Sequence, residues 1–179
     1  MTAGMSLDPA RVVVVTGHGA DMVAASARDF HEAAETVLQE PQLGTAHAVA
    51  QAAPLIVDGD AMVLYGDTPF VTPETLAAMQ EARGKWDIVI LGFHAADPRR
   101  YGRLITDGAD LLRIVEYKDA SEAERAIDLC NSGVVCAKAS VLFDLVSRVG
   151  NDNAAGEYYL TDIIALARQA GLTAGGVLC

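Results

Sequence analysis

The chain has 179 residues, 51% of them hydrophobic and 21% charged, which is enough for one sizeable core and argues against wholesale disorder. Its formal net charge of -11 repels nucleic-acid backbones and anionic membranes, and it also repels nucleotide triphosphates unless they bring a divalent cation or meet a local patch of donors. No stretch reaches the roughly 18 apolar residues of a membrane span and no secretion signal opens the chain, so a cytoplasmic protein without nucleic-acid or membrane partners is expected.

Met1 to Pro9 reads as the end of a helix. Arg11 to Thr16 (RVVVVT) is a β-branched run, expected as a strand buried on both faces. Gly17-His18-Gly19 turns the chain into a helix over about Ala20 to Phe30. It fails the GxGxxG dinucleotide fingerprint because Met22 stands at the last glycine position. Glu35 to Leu38 is a short strand, Gly44 to Ala53 has helical periodicity up to Pro54, and Ala61 to Tyr65 is a buried strand ending in Gly66-Asp67. Thr72-Pro73-Glu74 combines a hydroxyl cap, a first-turn proline and an acid at the positive end, and starts a helix to about Arg83.

Asp87 to Phe93 is a strand, and Arg103 to Thr106 and Leu111 to Tyr117 flank the turn residues Asp107-Gly108 as a hairpin. A helix over Ser121 to Ile127, a strand over Leu129 to Ala137, a helix over Ser140 to Val149, a polar loop from Gly150 to Tyr158 and a helix from Leu160 to Ala170 follow. Ala174 to Cys179 looks like a strand cut short. The odd cysteine count and the absence of CxxC spacing exclude a disulfide framework and a zinc knuckle; Cys130 and Cys136 read as small buried hydrophobes. The alternation predicts an α/β fold with a mostly parallel mixed sheet and a hairpin-like insertion, its ligands sitting at the carboxyl ends of the strands.

Residues at those ends carry the candidate chemistry. Gly44 and Thr45 begin a helix, whose free N–H groups form a corner for an anion or carbonyl, although glycine also begins helices for steric reasons. Asp67 is either a carboxylate that reaches a hydrated magnesium ion or an ordinary turn aspartate. Gly102, Glu116 and Asn131 stand at the edges of apolar strands, suited to sugar hydroxyls and an acetamido group; taken alone, Glu116 and Lys118 fit a solvated strand face better. In the loop Asn151 to Asp162, two tyrosines and Thr161 could hold a sugar phosphate or simply form a capped, half-buried loop.

Together, VVTGHG (Val14 to Gly19), LQEPQLGTAHAV (Leu38 to Val49), LYGDTPF (Leu64 to Phe70), YGRLI (Tyr101 to Ile105), RIVEYKDA (Arg113 to Ala120), NSGVV (Asn131 to Val135) and NDNAAGEYYLTDIIALA (Asn151 to Ala167) resemble the uridyltransferase domain of the bacterial bifunctional N-acetylglucosamine-1-phosphate uridyltransferase / glucosamine-1-phosphate acetyltransferase family. The resemblance spans nearly the whole chain. It implies a Rossmann-like, three-layer, GT-A-like nucleotidyltransferase fold and a cytoplasmic transferase supplying peptidoglycan and lipopolysaccharide precursors. UTP and N-acetylglucosamine 1-phosphate would give UDP-N-acetylglucosamine and pyrophosphate by in-line displacement with Mg²⁺. Gln39, Gly44 and Thr45 would read uracil, Tyr65 and Gly66 would line the nucleotide site, and Asp67 would hold the metal. Gly102, Glu116, Asn131 and Thr161 would position the sugar phosphate, with Glu157 and Tyr158 shaping the same pocket.

The family pattern also has a first strand with an LAAGxGTRM phosphate loop, a later lysine, a downstream asparagine metal ligand and a β-helix acyltransferase domain, none of which this sequence contains. Residues 1–179 are therefore expected as one partial nucleotidyltransferase domain with weakened UTP binding and impaired turnover, and with a slot in its sheet that invites self-association. Competing expectations are a related hexose-1-phosphate nucleotidyltransferase using another base and a non-catalytic sugar-nucleotide-binding remnant.

Overall fold

A computed structural model describes residues 2–68 and 71–179; Pro69 and Phe70 of the LYGDTPF segment lie outside the described residues. Six strands form the main sheet: β3 (Asp60–Val63), β4 (Ile88–His94), β5 (Arg103–Asp107), β6 (Asp110–Val115), β7 (Leu129–Lys138) and β8 (Ala174–Leu178). Their order is β6-β5-β7-β4-β8, with β3 also beside β7. Separately, β1 (Val13–Thr16) and β2 (Glu35–Leu38) pair in parallel, joined by α2 (Ala20–Phe30).

The period-two alternation of strand side chains builds the layers. Ile88 and Ile90 of β4 and Val135 and Ala137 of β7 face one core with α3 (Thr45–Ala50), α6 (Ala139–Ser147) and α7 (Ile163–Gln169). Val89, Leu91, Val134 and Cys136 face the opposite core, against Leu76 and Met79 of α4 (Pro73–Ala82). Ala3 of α1 (Thr2–Met5) and Leu7 pack at the margin of that second core. The result is the expected three-layer α/β arrangement.

Local chemistry sets the helix ends. The Thr72 hydroxyl accepts from the Thr75 N–H at 3.3 Å, capping α4 ahead of Pro73. Ser121 and Glu124 form a reciprocal capping box on the short α5 (Glu122–Arg125). The helix expected from Leu160 begins instead as a 3-10 turn over Leu160–Asp162, because it is pinned to other elements there.

Two expectations need correction. The sheet is mixed, but its balance is antiparallel: β7 runs antiparallel to β3, β4 and β5, as does β5 to β6, whereas β8 is parallel to β4. A buried apolar run reads the same in either direction, so composition could not set this balance. The run at β1 is also less buried than expected, Val13 to Val15 being only half-buried, because β1 has β2 as its one strand neighbour among the described residues. Cys130 and Cys136 are buried, and burial pushes the Cys136 thiol up to about 11, which makes it unreactive.

Candidate active site

The central strand is broken where the polar residues fall. Gly92 of β4 pairs with Asn131 and Ile90 with Val135, so three residues of β7, Ser132 to Val134, stand opposite one of β4. On its other edge β7 meets β5 at Cys130 and β3 only from Val135 onward. The bulge satisfies itself: Asn131 Oδ1 accepts from the Gly133 N–H at 3.0 Å, Ser132 Oγ accepts from the Val134 N–H at 3.2 Å, and the Ser132 hydroxyl donates to the Leu91 carbonyl at 2.8 Å. Gly133 has φ 89°, and a Cβ there would lie 2.9 Å from the Tyr65 ring. The glycine therefore lets Tyr65, which follows β3, lie across the break.

Around this gap the candidate sugar residues meet. The Thr161 hydroxyl donates to Glu116 at 3.0 Å, and a Cβ on Gly102 would stand 3.3 Å from the same carboxylate oxygen. The Gly102 carbonyl accepts from the Asn131 N–H at 2.9 Å. Asn131 Nδ2 has no partner among the described residues and remains free to donate. A cavity of about 10 Å³, room for one water, is lined by Tyr65, Asn131, Gly133 and Thr161. A second, open cleft of about 430 Å³, within the size range of small-molecule sites, is lined by Arg100, Glu116, Lys118, Glu157 and Tyr159, and the Thr161–Glu116 hydrogen bond links the linings of the two. Tyr159 lines this cleft, whereas Tyr158 turns toward the core and His47, their ring centroids 6.5 Å apart.

Glu116 is half-buried rather than on a solvated face. Burial pushes its carboxyl up, opposed by the Thr161 hydrogen bond and reinforced by the charges of Asp162 and Asp119. A carboxylate raised in the fold loses protons at higher pH than in the unfolded chain, so its stabilising protonation is lost as pH rises from the ordinary carboxylate range through the raised value. Glu116→Gln is therefore expected to raise the melting temperature relative to the parent at pH 7.5 and to lose that advantage at pH 4.5, as read by calorimetry.

The turn at the start of α3 lies beside this gap, Thr45 bonding to Leu160 of the cavity lining. Gly44 adopts φ 118° and ψ 178° at the start of α3. Tyr158 clasps the same turn: its N–H donates to the Leu43 carbonyl at 2.8 Å and its carbonyl accepts from the Ala46 N–H at 2.9 Å. The Thr45 hydroxyl accepts from the Leu160 N–H at 2.9 Å. Gln39 is buried and donates from Nε2 to the Gly44 carbonyl at 2.9 Å. Tyr65 connects the two regions. Burial raises its phenol, the nearby Thr45 hydroxyl lowers it, and the charges of Glu116 and Asp67 raise it further.

Gly66 and Asp67 are exposed in the turn after β3. Among the described residues no group of three or more His, Cys, Asp or Glu side chains comes together as an ion-binding cluster. A single exposed carboxylate suits an ion whose remaining ligands are water and phosphate oxygens, and does not suit an all-protein cage.

Among protein families, the model described as MobA-like NTP transferase domain matches residues 3–159. The chain belongs to that family. As an NTP transferase it is 65% identical to the Bifunctional protein GlmU of Cereibacter sphaeroides (strain ATCC 17025 / ATH 2.4.3), over 100% of this chain and 40% of the relative. Identity to the protein of the same name from Jannaschia sp. (strain CCS1) is 59%, and to that from Paracoccus denitrificans (strain Pd 1222) 54%, with the same shares covered. The chain thus spans about two fifths of the length of these curated relatives. Among solved structures, apo-UDP-glucose pyrophosphorylase superposes with a TM-score of 0.74 at 14% identity, covering 99% of this chain and 76% of that one. The inositol-1-phosphate CTP transferase from T. maritima gives 0.75 at 15%, covering 98% and 69%. At such identities these two speak for the fold, a Rossmann-like nucleotidyltransferase. No helix among the described residues of this NTP transferase is long and apolar enough to cross a membrane.

Sequence reading gave no role to Arg100 or His47. Arg100 and Lys118 are the cations that line the cleft. The adjacent arginines after Pro98 were a signal for Arg100.

Proposed function

We propose that this NTP transferase joins UTP to N-acetylglucosamine 1-phosphate, forming UDP-N-acetylglucosamine and releasing pyrophosphate, in the cytoplasm. The reading is supported above all by one observation: Gly102, Glu116, Asn131 and Thr161 stand around a single break in the sheet that Tyr65 joins to the base corner. The name carried by the relatives agrees with it.

An oxygen of the sugar phosphate attacks the α-phosphorus of UTP, and the bond from that phosphorus to the bridging oxygen breaks as pyrophosphate leaves. The nucleophile is already anionic, so no general base is needed and the work is alignment and charge cancellation. Glu116 and Asn131 hold sugar hydroxyls and the acetamido group, Thr161 orients Glu116, and Gly102 leaves room for the sugar. Glu157 faces the same cleft, and Tyr158 shapes it by fixing the Gly44–Thr45 turn. Gln39, Gly44 and Thr45 hold the uracil, beside Tyr65 and Gly66. Asp67 is the residue that would hold a magnesium ion, which supplies charge neutralisation at the phosphates when bound. Arg100 and Lys118 add positive charge at the rim of an otherwise acidic cleft. Self-association through the free edges of β1 and β3 belongs to the same reading, with sedimentation velocity as its measure.

Ligand-observed NMR with N-acetylglucosamine 1-phosphate and glucose 1-phosphate tests the sugar site. The acetamido sugar is expected to bind more tightly, and Glu116→Ala to weaken it about tenfold through loss of one buried hydrogen-bond partner. Equal affinity for the two sugars in the parent protein contradicts the assignment.

A further inference from the structure

Gln39 is buried, and both hydrogens of its amide have partners. One goes to the Gly44 carbonyl at 2.9 Å; the other points to Nδ1 of His47 at 3.1 Å. The orientation of the amide follows from the first contact, because a carbonyl oxygen accepts and never donates, so the nitrogen must face Gly44. The second contact requires a lone pair on Nδ1 and hence a proton on Nε2 of His47. Gln39 Oε1 accepts from no described residue, and it is not among the buried atoms that lack a partner, so it opens to solvent.

The opposite ring nitrogen faces Gln51, whose Nε2 lies 3.2 Å from His47 Nε2 and also donates to the His47 carbonyl at 2.9 Å. A neutral imidazole accepts at one nitrogen only, so the two glutamines compete for it. Burial decides between them. Gln51 is only half-buried and can give its second hydrogen to water, whereas an unpaired N–H on Gln39 would be stranded.

We propose that His47 is a positioning residue: by accepting from Gln39 it holds that amide with its oxygen outward, and so makes the corner select uracil over cytosine. This rests on the base-corner reading above. Uracil carries a hydrogen on N3 and cytosine a lone pair, so a fixed acceptor offered to N3 binds the first and repels the second. A freely turning amide would accept both, by presenting oxygen to one and nitrogen to the other.

Two readouts test this. The first is the ¹⁵N spectrum of the His47 imidazole in the parent protein, which should show Nδ1 unprotonated; a proton on Nδ1 overturns the inference irrespective of any ligand. The second is NMR titration with UTP and CTP, each with magnesium, against the parent, His47→Phe and His47→Asn. The parent should prefer UTP. His47→Phe removes the acceptor and should reduce that preference about tenfold, the equivalent of one hydrogen bond. His47→Asn restores an acceptor near the Nδ1 position and should retain most of it. A purely packing role would lower both affinities together, and an unchanged UTP-to-CTP ratio in His47→Phe overturns the proposal while leaving the base corner intact. Absent or equal binding of both nucleotides by the parent overturns the base corner itself, and this inference with it.

Discussion

Gly44→Ala is expected to destabilise the protein by about 3 kcal/mol or more, lowering the melting temperature by about 6–12 °C. The backbone at φ 118° and ψ 178° is open to glycine alone. A Cβ would also fall 2.6 Å from the Tyr158 carbonyl oxygen and 2.7 Å from its nitrogen. Both atoms are main chain and both are committed, to Ala46 and Leu43, so neither can step aside without opening the clasp between α3 and the loop before Leu160. Gly171→Ala is the control: it too has a positive φ, 77°, but nothing lies within 4 Å of its Cβ direction. Its cost should stay at about 1–2 kcal/mol. Urea titrations of the two variants separate collision from backbone strain, and equal midpoints would show that the clasp carries no energy.

Arg103→Met should cost about 2 kcal/mol or more and speed tryptic cleavage after Arg99 and Arg100. Arg103 is 1% exposed and has no ion-pair partner among the described residues; its guanidinium donates to the carbonyls of Pro98, Arg99, Tyr101 and Arg125. Arg99 sits at φ 35°, a strained conformation for a residue with a side chain, held in part by that bond to its carbonyl. Methionine fills similar volume but leaves the carbonyls of Arg99, Tyr101 and Arg125 to find water, Pro98 keeping the Tyr101 N–H, and the loop can do this only by loosening. Because Gly102 follows directly and Arg100 lines the cleft, the same variant should weaken N-acetylglucosamine 1-phosphate binding while leaving the base corner untouched. Unaltered proteolysis would mean that the loop holds its shape without Arg103.

The sequence revealed elements best where local chemistry is decisive. The bounds of α2 follow from Gly19 at its start and the extended His31 at its end, and α4 follows from Thr72 and Pro73. Strand direction was not legible, since Val134 to Ala137 would bury equally well beside a parallel or an antiparallel neighbour. Asn131-Ser132-Gly133 stood out as polar residues in an apolar run, but the run continues on both sides and concealed that the strand breaks there. Glu116 looked like a solvated strand residue because its burial comes from Gly102 and Thr161, both distant in sequence. Its candidate role came from motif resemblance and not from local physics. Arg103 was unreadable for a related reason: an arginine beside a strand looks like surface until four carbonyls from two separate segments close on it.

The exchange of partners along β7 has a consequence for how such a protein can vary. One end of the strand is locked between β3 and β4 and tolerates little beyond swaps of equal volume, the other lies between β4 and β5, and the stretch between them leaves the ladder beside a small cavity. The small cavity is thus shaped by where the ladder stops as much as by the identity of any one residue. The walls of the open cleft, Arg100, Lys118 and Glu157, come from loops that can be exchanged without disturbing the layers beneath. Such a molecule can acquire a new preference in its substrate while its scaffold stays unchanged.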